Sequence, residues 1–399
     1  MTLLLVLLSC LAMAIQPRRG AEFLGTGNGT MFRVYAPHAT KVSVAGEWNS
    51  WSATANPLQK GEHSVWFGQI PQADRWMKYK YVINDTKWNM DPNSIRVENS
   101  GYGANSIIED LGYYQWSANE ANWQSGAHLP SVTQMVIYEL HLKSFMFKND
   151  GVPYEYGAFF RKFVEHKLDY LQDLGINAIS LMPINEFPGD QSWGYNPAFW
   201  FAVESAYGSS YDFQYFVDQC HQRGIAVIVD VCYNHAGPND ISHYWDFDGG
   251  FVNEVGGNGN YFYTDWRGLT PWGATNPDWG QGHVRDMLVE NARMWILDYH
   301  CDGLRMDSTV SIRKDSPDGW DWNGSDNPDG WSFLQYLNNE TRPLKGGKTV
   351  MIAEDIAGNS WITKNTGEGG AGFTAQWQPS PIVGVVTQWD DNSRDMNEV

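Results

Sequence analysis

A short apolar run ends in two residues whose types and spacing could support catalysis. Arg305 and Asp307 stand two positions apart in the predicted strand Gly303–Ser308. Because side chains alternate along a strand, both should point to the same face of the sheet. A guanidinium within hydrogen-bonding distance keeps a carboxylate ionised and oriented, as a carboxylate nucleophile requires. For an isolated pair of this kind, a structural salt bridge is the commoner explanation.

Two neighbouring predicted strands also end in carboxylates, and this favours a catalytic interpretation. The strand Ile225–Val231 contains Asp230 and is soon followed by His235, and the strand Thr349–Glu354 ends in a third carboxylate. Clustered anions repel and are costly to desolvate, so a purely structural role does not explain three of them at one rim. Two carboxyl groups about 5–5.5 Å apart can cleave or transfer a glycosidic bond with retention of configuration.

We therefore predict separate roles for two of these carboxyl groups. Asp307 is expected to act as the nucleophile, because Arg305 favours its ionised form. Glu354 is expected to act as the general acid and base, because the apolar residues 349–353 supply the environment that such a group needs. His235 is expected to donate a hydrogen bond to a sugar hydroxyl, and the alternative is a structural histidine in the core.

The elements that must position these residues alternate between strands and helices from about residue 131 onward. Apolar runs predict strands at Met135–His141, Ala178–Pro183, Ile225–Val231, Gly303–Ser308, Thr349–Glu354 and Phe373–Trp377. Apolar residues at helical spacing predict helices at Phe159–Leu174, Tyr211–Arg223, His283–Tyr299 and Trp331–Asn338. This order indicates parallel βα units, and no glycine-rich phosphate loop follows the first strand. We predict an α/β fold with a (β/α)8 barrel, incomplete at about six strands, rather than an open doubly wound sheet.

The rest of the chain divides into segments that differ in composition and hydrophobic pattern. Residues 22–112 contain short alternating runs separated by turn residues, which predicts a small all-β sandwich. Residues 113–130 are rich in Trp, Ala, Asn, Ser and Gly and are predicted to be a linker, with the barrel over 131–399. Barrel active sites lie in the loops after the strands, and three long polar segments occupy such positions. These segments are 184–210, 232–282 and 309–330.

Composition excludes some classes of partner and favours another. The chain has 399 residues and a formal charge of −19, which argues against nucleic acid and anionic membranes, because both require clustered Lys and Arg. It also has 20 Trp and 20 Tyr. Aromatic faces with a polar handle suit sugar rings, and the alternative explanation is aromatic-rich packing.

Residues 1–14 are predicted to be an export signal. The run Thr2–Ile15 is apolar and contains the A-x-A pattern of a signal-peptidase site at 12–14, although Lys and Arg are missing before it. The run is too short for a typical transmembrane helix. We expect a secreted or exported protein without membrane contact after removal of the leader, and the alternative is a cytoplasmic protein.

The cysteines indicate neither a disulfide framework nor a metal site. Cys220, Cys232 and Cys301 follow Cys10 without regular spacing, and all three fall in apolar or helical patterns. We expect buried thiols. No metal and no cofactor are predicted.

The N-terminal residues resemble a known carbohydrate-binding family. Phe32–Pro37, Val42–Trp51 and Tyr79–Val82 are similar to the family 48 carbohydrate-binding module, which precedes many glycogen- and starch-active enzymes. Trp48 stands where the family pattern usually has phenylalanine. In barrel-linked enzymes the module often only braces the catalytic domain, so glucan binding here has a structural alternative. The residues that the resemblance implies for glucan binding are Trp51, Lys80, Trp88 and Asn105.

The barrel residues resemble the α-amylase superfamily, glycoside hydrolase family 13. Asp230–His235, Gly303–Asp307 and Glu354 match its first three motifs in order. The resemblance implies that Asp230 and Arg305 brace the nucleophile. It also implies that His235 binds the sugar before the scissile bond and that Tyr195 stacks on that sugar ring.

Further stretches look like the glycogen- or 1,4-α-glucan-branching enzymes. These stretches are Tyr138–Phe145, Met182–Gly189 and Ser192–Pro197. The resemblance implies an α-1,4-glucan of the glycogen, starch or amylose type as the substrate. It also implies the absence of a metal, because branching enzymes generally lack the calcium ion that the counterpart of Asn234 binds in many amylases.

The chain departs from the superfamily pattern in one respect, and three functions stay open. The fourth motif is a histidine followed by an aspartate, but no histidine occurs after His300, and Asp390 and Asp391 follow Trp389 instead. We therefore expect a C-terminally truncated chain, or a remnant without full catalysis. The open functions are a branching transglycosylase, an α-amylase-like hydrolase, which the leader favours, and a non-catalytic glucan-binding protein.

Overall fold

The computed structural model describes residues 18–146, 155–249, 260–316 and 324–377. The predicted leader at 1–14 lies outside this part of the chain, and export stays a prediction. No helix within the described ranges is long and apolar enough to cross a lipid bilayer.

Antiparallel strands form the N-terminal part of the structure. They are β1 (Gly20–Phe23), β2 (Thr30–Tyr35), β3 (Val42–Gly46), β4 (Gln59–Lys60), β5 (Val65–Ile70), β6 (Lys78–Ile83), β7 (Lys87–Asn89) and β8 (Ser106–Ile107). They pair in the orders β1-β2-β5-β4 and β3-β6-β7, with β8 also on β6. Alternation along β2 buries Phe32 and Val34, which share one apolar core with Val44 and Tyr81 of the other sheet. The predicted all-β N-terminal region is confirmed.

Six parallel strands form the second, larger sheet. The strands after β8 are β9 (Ile137–Leu140), β10 (Ala178–Leu181), β11 (Asn185–Glu186), β12 (Phe199–Val203), β13 (Ala226–Val231), β14 (Gly303–Met306), β15 (Lys314–Asp315), β16 (Ser325–Asp326), β17 (Val350–Glu354) and β18 (Ala375–Trp377). The parallel sheet has the order β18-β17-β14-β13-β10-β9, and the short pairs β11-β12 and β15-β16 lie outside it. The predicted partial barrel of six parallel strands is confirmed.

The register of the parallel sheet determines which residues of adjacent strands lie side by side at the carboxyl ends of the strands. Asp230 on β13 pairs with Arg305 on β14, and Met306 pairs with Ala353 on β17. Every residue of β13 is buried, as expected for a parallel strand that is covered on both faces. The residues that follow Met306 and Ala353 therefore meet at the same rim.

Helices connect the parallel strands and cover the sheet. They are α1 (Glu120–Gln124), α2 (Leu142–Met146), α3 (Phe159–His166), α4 (Leu168–Asp173), α5 (Ser210–Gln222), α6 (Ser242–Trp245), α7 (Gly282–Leu297), α8 (Thr309–Arg313), α9 (Pro328–Thr341) and α10 (Leu344–Gly347). The single helix predicted over 159–174 is two helices, because the backbone leaves helical geometry at Lys167, with φ −127° and ψ −27°. The apolar pattern continues across this break, so the pattern alone could not locate it.

The segment predicted as a linker packs against the amino ends of the parallel strands. Trp123 and Leu129 share an apolar cluster with Ala178, Ala226 and Val350, which lie at the starts of β10, β13 and β17. The chain between the sandwich and the barrel therefore covers the base of the sheet.

A buried ionic network lies at this base. His221 contacts Oε2 of Glu120 at 2.8 Å and Oδ2 of Asp302 at 2.9 Å. Lys345 donates to Oδ1 of Asp302 at 2.7 Å, and His300 contacts Oε1 of Glu120 at 2.8 Å. Burial opposes protonation of His221, but the two carboxylates outweigh burial and raise its pKa. The imidazolium form can donate from both ring nitrogens, which fits a ring placed between two carboxylates.

We predict that His221→Gln removes a pH-dependent part of the stability. The folded pKa of His221 lies above its ordinary value near 6.5, so its contribution is complete below that pH and disappears as pH rises through the folded pKa. Urea unfolding should therefore separate wild type from variant more at pH 6 than at pH 9, by on the order of 1 kcal/mol. His166→Gln, at a half-exposed site on α3, is the control and should have no such effect. An equal difference at both pH values would contradict the assignment.

Candidate active site

The guanidinium of Arg305 lies at the centre of a carboxylate cluster that comprises Asp230, Arg305, Asp307 and Glu354. Its Nη1 donates to Oδ1 and Oδ2 of Asp230, at 3.0 and 2.8 Å, and to Oδ1 of Asp307 at 2.8 Å. Its Nη2 lies 3.3 Å from Oε2 of Glu354. The ends of three adjacent strands supply these side chains, so the structure brings four of the predicted site residues together.

A second donor orients each of the two carboxyl groups predicted to do chemistry. Nδ2 of Asn234 donates to Oδ2 of Asp307 at 3.2 Å, and the backbone N–H of Ser308 donates to Oε2 of Glu354 at 2.8 Å. Ser308 has a φ of 40°, in the left-handed region that residues with a Cβ rarely adopt. This conformation turns the chain directly after Asp307. Each carboxyl group is therefore held from two directions.

The cluster contains one guanidinium for three carboxyl groups. Burial raises the pKa of Asp307 to about 6, because Arg305 offsets burial only in part and the charge of Glu354 adds to it. Burial likewise raises the pKa of Asp230 to about 8, against the opposing effect of Arg305. We expected Arg305 to keep Asp307 ionised, but burial and, after it, the charge of Glu354 weaken that effect. The Glu354 side chain is 28% exposed and that of Asp307 is 14% exposed, so Glu354 is the more accessible.

Tyr195 reaches the cluster from the segment between β11 and β12. Its hydroxyl donates to Oδ2 of Asp230 at 2.8 Å, and its ring lies 5.9 Å from the guanidinium carbon of Arg305. Gly194 has a φ of 91°, and a Cβ there would lie 2.4 Å from the carbonyl oxygen of Pro183. Glycine at this position therefore lets the segment approach the end of β10 closely. Stacking of Tyr195 on a sugar ring stays a prediction.

His235 lies beside Tyr195 and is almost completely buried. Burial lowers its pKa to about 4, so the ring is neutral near pH 7. Its Nε2 is 2.9 Å from the carbonyl oxygen of Tyr195 and therefore carries the proton in this arrangement. The ring of Trp272 stacks on the imidazole at a centroid distance of 4.4 Å. A hydrogen bond from Nε2 to a sugar hydroxyl, as predicted, would replace the contact with Tyr195.

The sequence did not point to two aromatic residues near the cluster. Trp377 on β18 pairs with Glu354 in the register, and its ring lies 5.4 Å from the guanidinium carbon of Arg305. Its position at the end of a predicted strand was a usable signal. Trp272, which covers His235, lies 37 positions along the chain in a long polar segment. Nothing in the sequence connects those two residues.

The four residues predicted for glucan binding line one depression on the sandwich. Trp51, Lys80, Trp88 and Asn105 surround a cavity of about 450 Å³, together with Glu47 and Lys78. Trp88 is 39% exposed, so part of its ring is open to a ligand. Nδ2 of Asn105 donates a hydrogen bond to Oε2 of Glu98 at 2.6 Å, which orients the amide group. The structure brings these residues together, and their function stays a prediction.

The described ranges offer no cluster of three or more His, Cys, Asp or Glu side chains that could hold a metal ion. Asn234, the counterpart of a calcium ligand in many amylases, instead donates to Asp307. The thiols of Cys220, Cys232 and Cys301 are free and buried.

Comparison with known proteins gives two domain matches and a group of similar proteins. Residues 161–247 match the alpha amylase catalytic domain, and residues 19–98 match carbohydrate-binding module 48, also described as the isoamylase N-terminal domain. Proteins named 1,4-alpha-glucan branching enzyme GlgB are similar over most of the chain. The protein of Pseudoalteromonas atlantica is 35% identical over 87% of this chain, and that of Bacillus caldolyticus is 34% identical over 90%. The chain therefore contains a stretch that matches the alpha amylase catalytic domain, preceded by a match to carbohydrate-binding module 48, and is similar to these proteins over most of its length.

The similar proteins are longer than this chain. The chain spans about half the length of the curated relatives it matches, 48% for Pseudoalteromonas atlantica and 52% for Bacillus caldolyticus. A crystal structure from Salmonella typhimurium, provisionally named as an alpha amylase, matches 85% of this chain and 50% of its own. The TM-score is 0.62 at 24% sequence identity, which shows that the two folds are alike.

Two substitutions in the cluster should have opposite effects on stability. Arg305→Gln leaves three carboxyl groups without their cation and should lower the free energy of unfolding by about 3–5 kcal/mol. Asp307→Asn keeps the shape and removes one excess negative charge, so it should raise that free energy by on the order of 1 kcal/mol at pH 8. Urea unfolding of both variants measures the difference. A loss of similar size in Asp307→Asn would identify a structural salt bridge instead.

Proposed function

We propose that this chain acts on α-1,4-glucans with retention of configuration, as a 1,4-α-glucan branching transglycosylase. The observation that carries the proposal is one guanidinium between two carboxyl groups. Asp307 lies 2.8 Å from Nη1 of Arg305, and Glu354 lies 3.3 Å from Nη2. Two carboxyl groups on neighbouring nitrogens are close together, and retaining enzymes use a separation of about 5–5.5 Å.

The reaction follows from the two carboxyl groups. A carboxylate oxygen of Asp307 attacks the anomeric carbon, while the bond from that carbon to the leaving sugar oxygen breaks and Glu354 gives its proton to that oxygen. A hydroxyl of a second glucan then loses its proton to Glu354 and attacks the same carbon, which releases Asp307. The accessibility of Glu354 and the second donor on each carboxyl group support this division of roles.

The surrounding residues support a neutral glucan as the substrate. Asp230 accepts hydrogen bonds from both Arg305 and Tyr195 and so orients them. We assign to Tyr195 and His235 the contacts with the sugar before the scissile bond. The module residues Trp51 and Trp88 would hold the polymer at a distance from the chemistry. A chain with a formal charge of −19 repels polyanions but not a neutral polysaccharide.

Branching and hydrolysis differ in what attacks the intermediate. A sugar hydroxyl gives a new α-1,6 linkage, whereas water gives a shorter free chain. The names of the similar proteins from Pseudoalteromonas atlantica and Bacillus caldolyticus favour branching. The third superfamily carboxylate, an aspartate after a histidine, has no match in the printed sequence.

Covalent labelling tests the nucleophile directly. A 5-fluoro-α-glucosyl fluoride loses fluoride without a proton, so it should label Asp307 in wild type and also in Glu354→Gln. Mass spectrometry of the digested protein should place the added sugar on the peptide that contains Asp307. Asp307→Asn is the matched control and should carry no label. A label on Glu354 or Asp230 would reverse the assignment.

Products formed from amylose distinguish the competing functions. Branching predicts loss of iodine colour together with new α-1,6 signals in the proton NMR spectrum, and Asp307→Asn should abolish both. Free maltose and glucose without α-1,6 signals would favour an α-amylase-like hydrolase. Retention on glycogen that Trp51→Ala and Trp88→Ala abolish, without labelling or turnover in wild type, would favour a non-catalytic glucan-binding protein.

A further inference from the structure

A second cavity, of about 520 Å³, lies between the sandwich and the long segment that follows β13. We call it the bridging cavity. The sandwich side contributes Lys80, Trp88 and Tyr102, and the barrel side contributes Asp240, Ser242 and Trp245. Its volume is in the range of known ligand sites.

Contacts that cross between the two regions fix the walls of the bridging cavity. Phe247 is completely buried in the apolar core of the sandwich, where its ring lies 6.0 Å from that of Tyr81. Nδ2 of Asn89 donates to the carbonyl oxygen of Phe247 at 2.6 Å, and Lys87 pairs with Asp246 at 2.5 Å. Trp245 is therefore two residues from a side chain anchored in the opposite region. The wall that carries Trp245 is therefore held in place without a ligand.

The lining combines aromatic faces with polar groups from both sides. Tyr102 is fully exposed and Trp88 is 39% exposed, and Trp245 is partly buried against Phe262 at a ring distance of 6.0 Å. Asp240 and Ser242 are exposed polar residues on the facing wall. Aromatic rings with interspersed hydrogen-bonding groups are the lining that a sugar chain requires, because its C–H faces are apolar and its edges carry hydroxyls.

The bridging cavity lies between two sites already described. Lys80 and Trp88 line both this cavity and the depression on the sandwich that contains Trp51. At its other side Thr275 donates to the carbonyl oxygen of Ala236 at 2.5 Å, and Ala236 follows His235 of the candidate active site. The lining of the cavity is therefore joined to the candidate active site through Thr275 and Ala236.

We propose that the bridging cavity binds a segment of an α-glucan chain and guides it from the sandwich towards the active-site rim. The substrate class rests on the proposed function. Trp245 and Tyr102 supply sugar-stacking faces from opposite walls, so only a chain longer than the depression can occupy both sites. Linked occupancy of two sites by one chain raises affinity without any new contact at either site.

Calorimetric titration of the full chain carrying Asp307→Asn tests the proposal, because ligand is not consumed in that background. Trp245→Ala should raise the Kd for maltodecaose about tenfold and leave that for maltotriose unchanged. Tyr102→Ala should do the same, and its fully exposed ring makes loss of folding an inadequate explanation. Trp51→Ala should weaken binding of both ligands. Tyr170→Ala on helix α4, also at an exposed ring, is the control and should alter neither Kd.

Two outcomes would overturn the bridging cavity as a glucan site. One is a maltodecaose Kd within twofold of the background in both Trp245→Ala and Tyr102→Ala. The other is an equal loss for maltotriose and maltodecaose in these variants, which would place a single short site elsewhere. Failure of the proposed function has a different signature. In that case the chain-length effect persists in the titrations while the 5-fluoro sugar does not label Asp307.

Discussion

The contacts of the Arg305 guanidinium depend on the register of the parallel sheet. Arg305 meets Asp230 because the two residues pair between β14 and β13, and it meets Glu354 because the next strand ends at the same height. A slip of one residue would turn Arg305 to the opposite face and leave the carboxyl groups without their shared cation. The arrangement of Arg305 and the carboxyl groups at the rim is therefore determined by the pairing of β13, β14 and β17.

Charge also fixes the other end of β14. Asp302, directly before the strand, contacts Lys345 and His221 in the buried network at the base. Between the two charged ends, Gly303 allows β14 to approach β17, since a Cβ there would lie 2.1 Å from the carbonyl oxygen of Val350. The base network favours the register, while the rim cluster has an excess of negative charge that opposes folding. The charged groups at the base therefore stabilise the fold, and those at the rim destabilise it.

The sequence predicted what depends on local pattern and missed what depends on distant contacts. The strands that carry Asp230, Arg305 and Glu354 are strongly apolar, and their carboxylates follow from strand ends in a parallel sheet. Short edge strands such as β4 carry too few residues for a pattern. The burial of Phe247 in the sandwich core, 158 positions from Asn89, and the stacking of Trp272 on His235 have no local signature. Both features lie in one polar segment that reads as a loop.

Under the proposed function, that polar segment would connect substrate binding to the outcome of the reaction. A transglycosylase differs from a hydrolase in that a sugar hydroxyl must reach the covalent intermediate before water does. A second glucan held beside the rim raises the local concentration of that hydroxyl, and effective concentration rather than intrinsic reactivity can decide the competition. The segment after β13 begins at the candidate active site, forms one wall of the bridging cavity and is anchored in the sandwich by Phe247. If the carboxylate cluster performs the proposed chemistry, the sandwich contributes to the choice between transfer and hydrolysis through this segment.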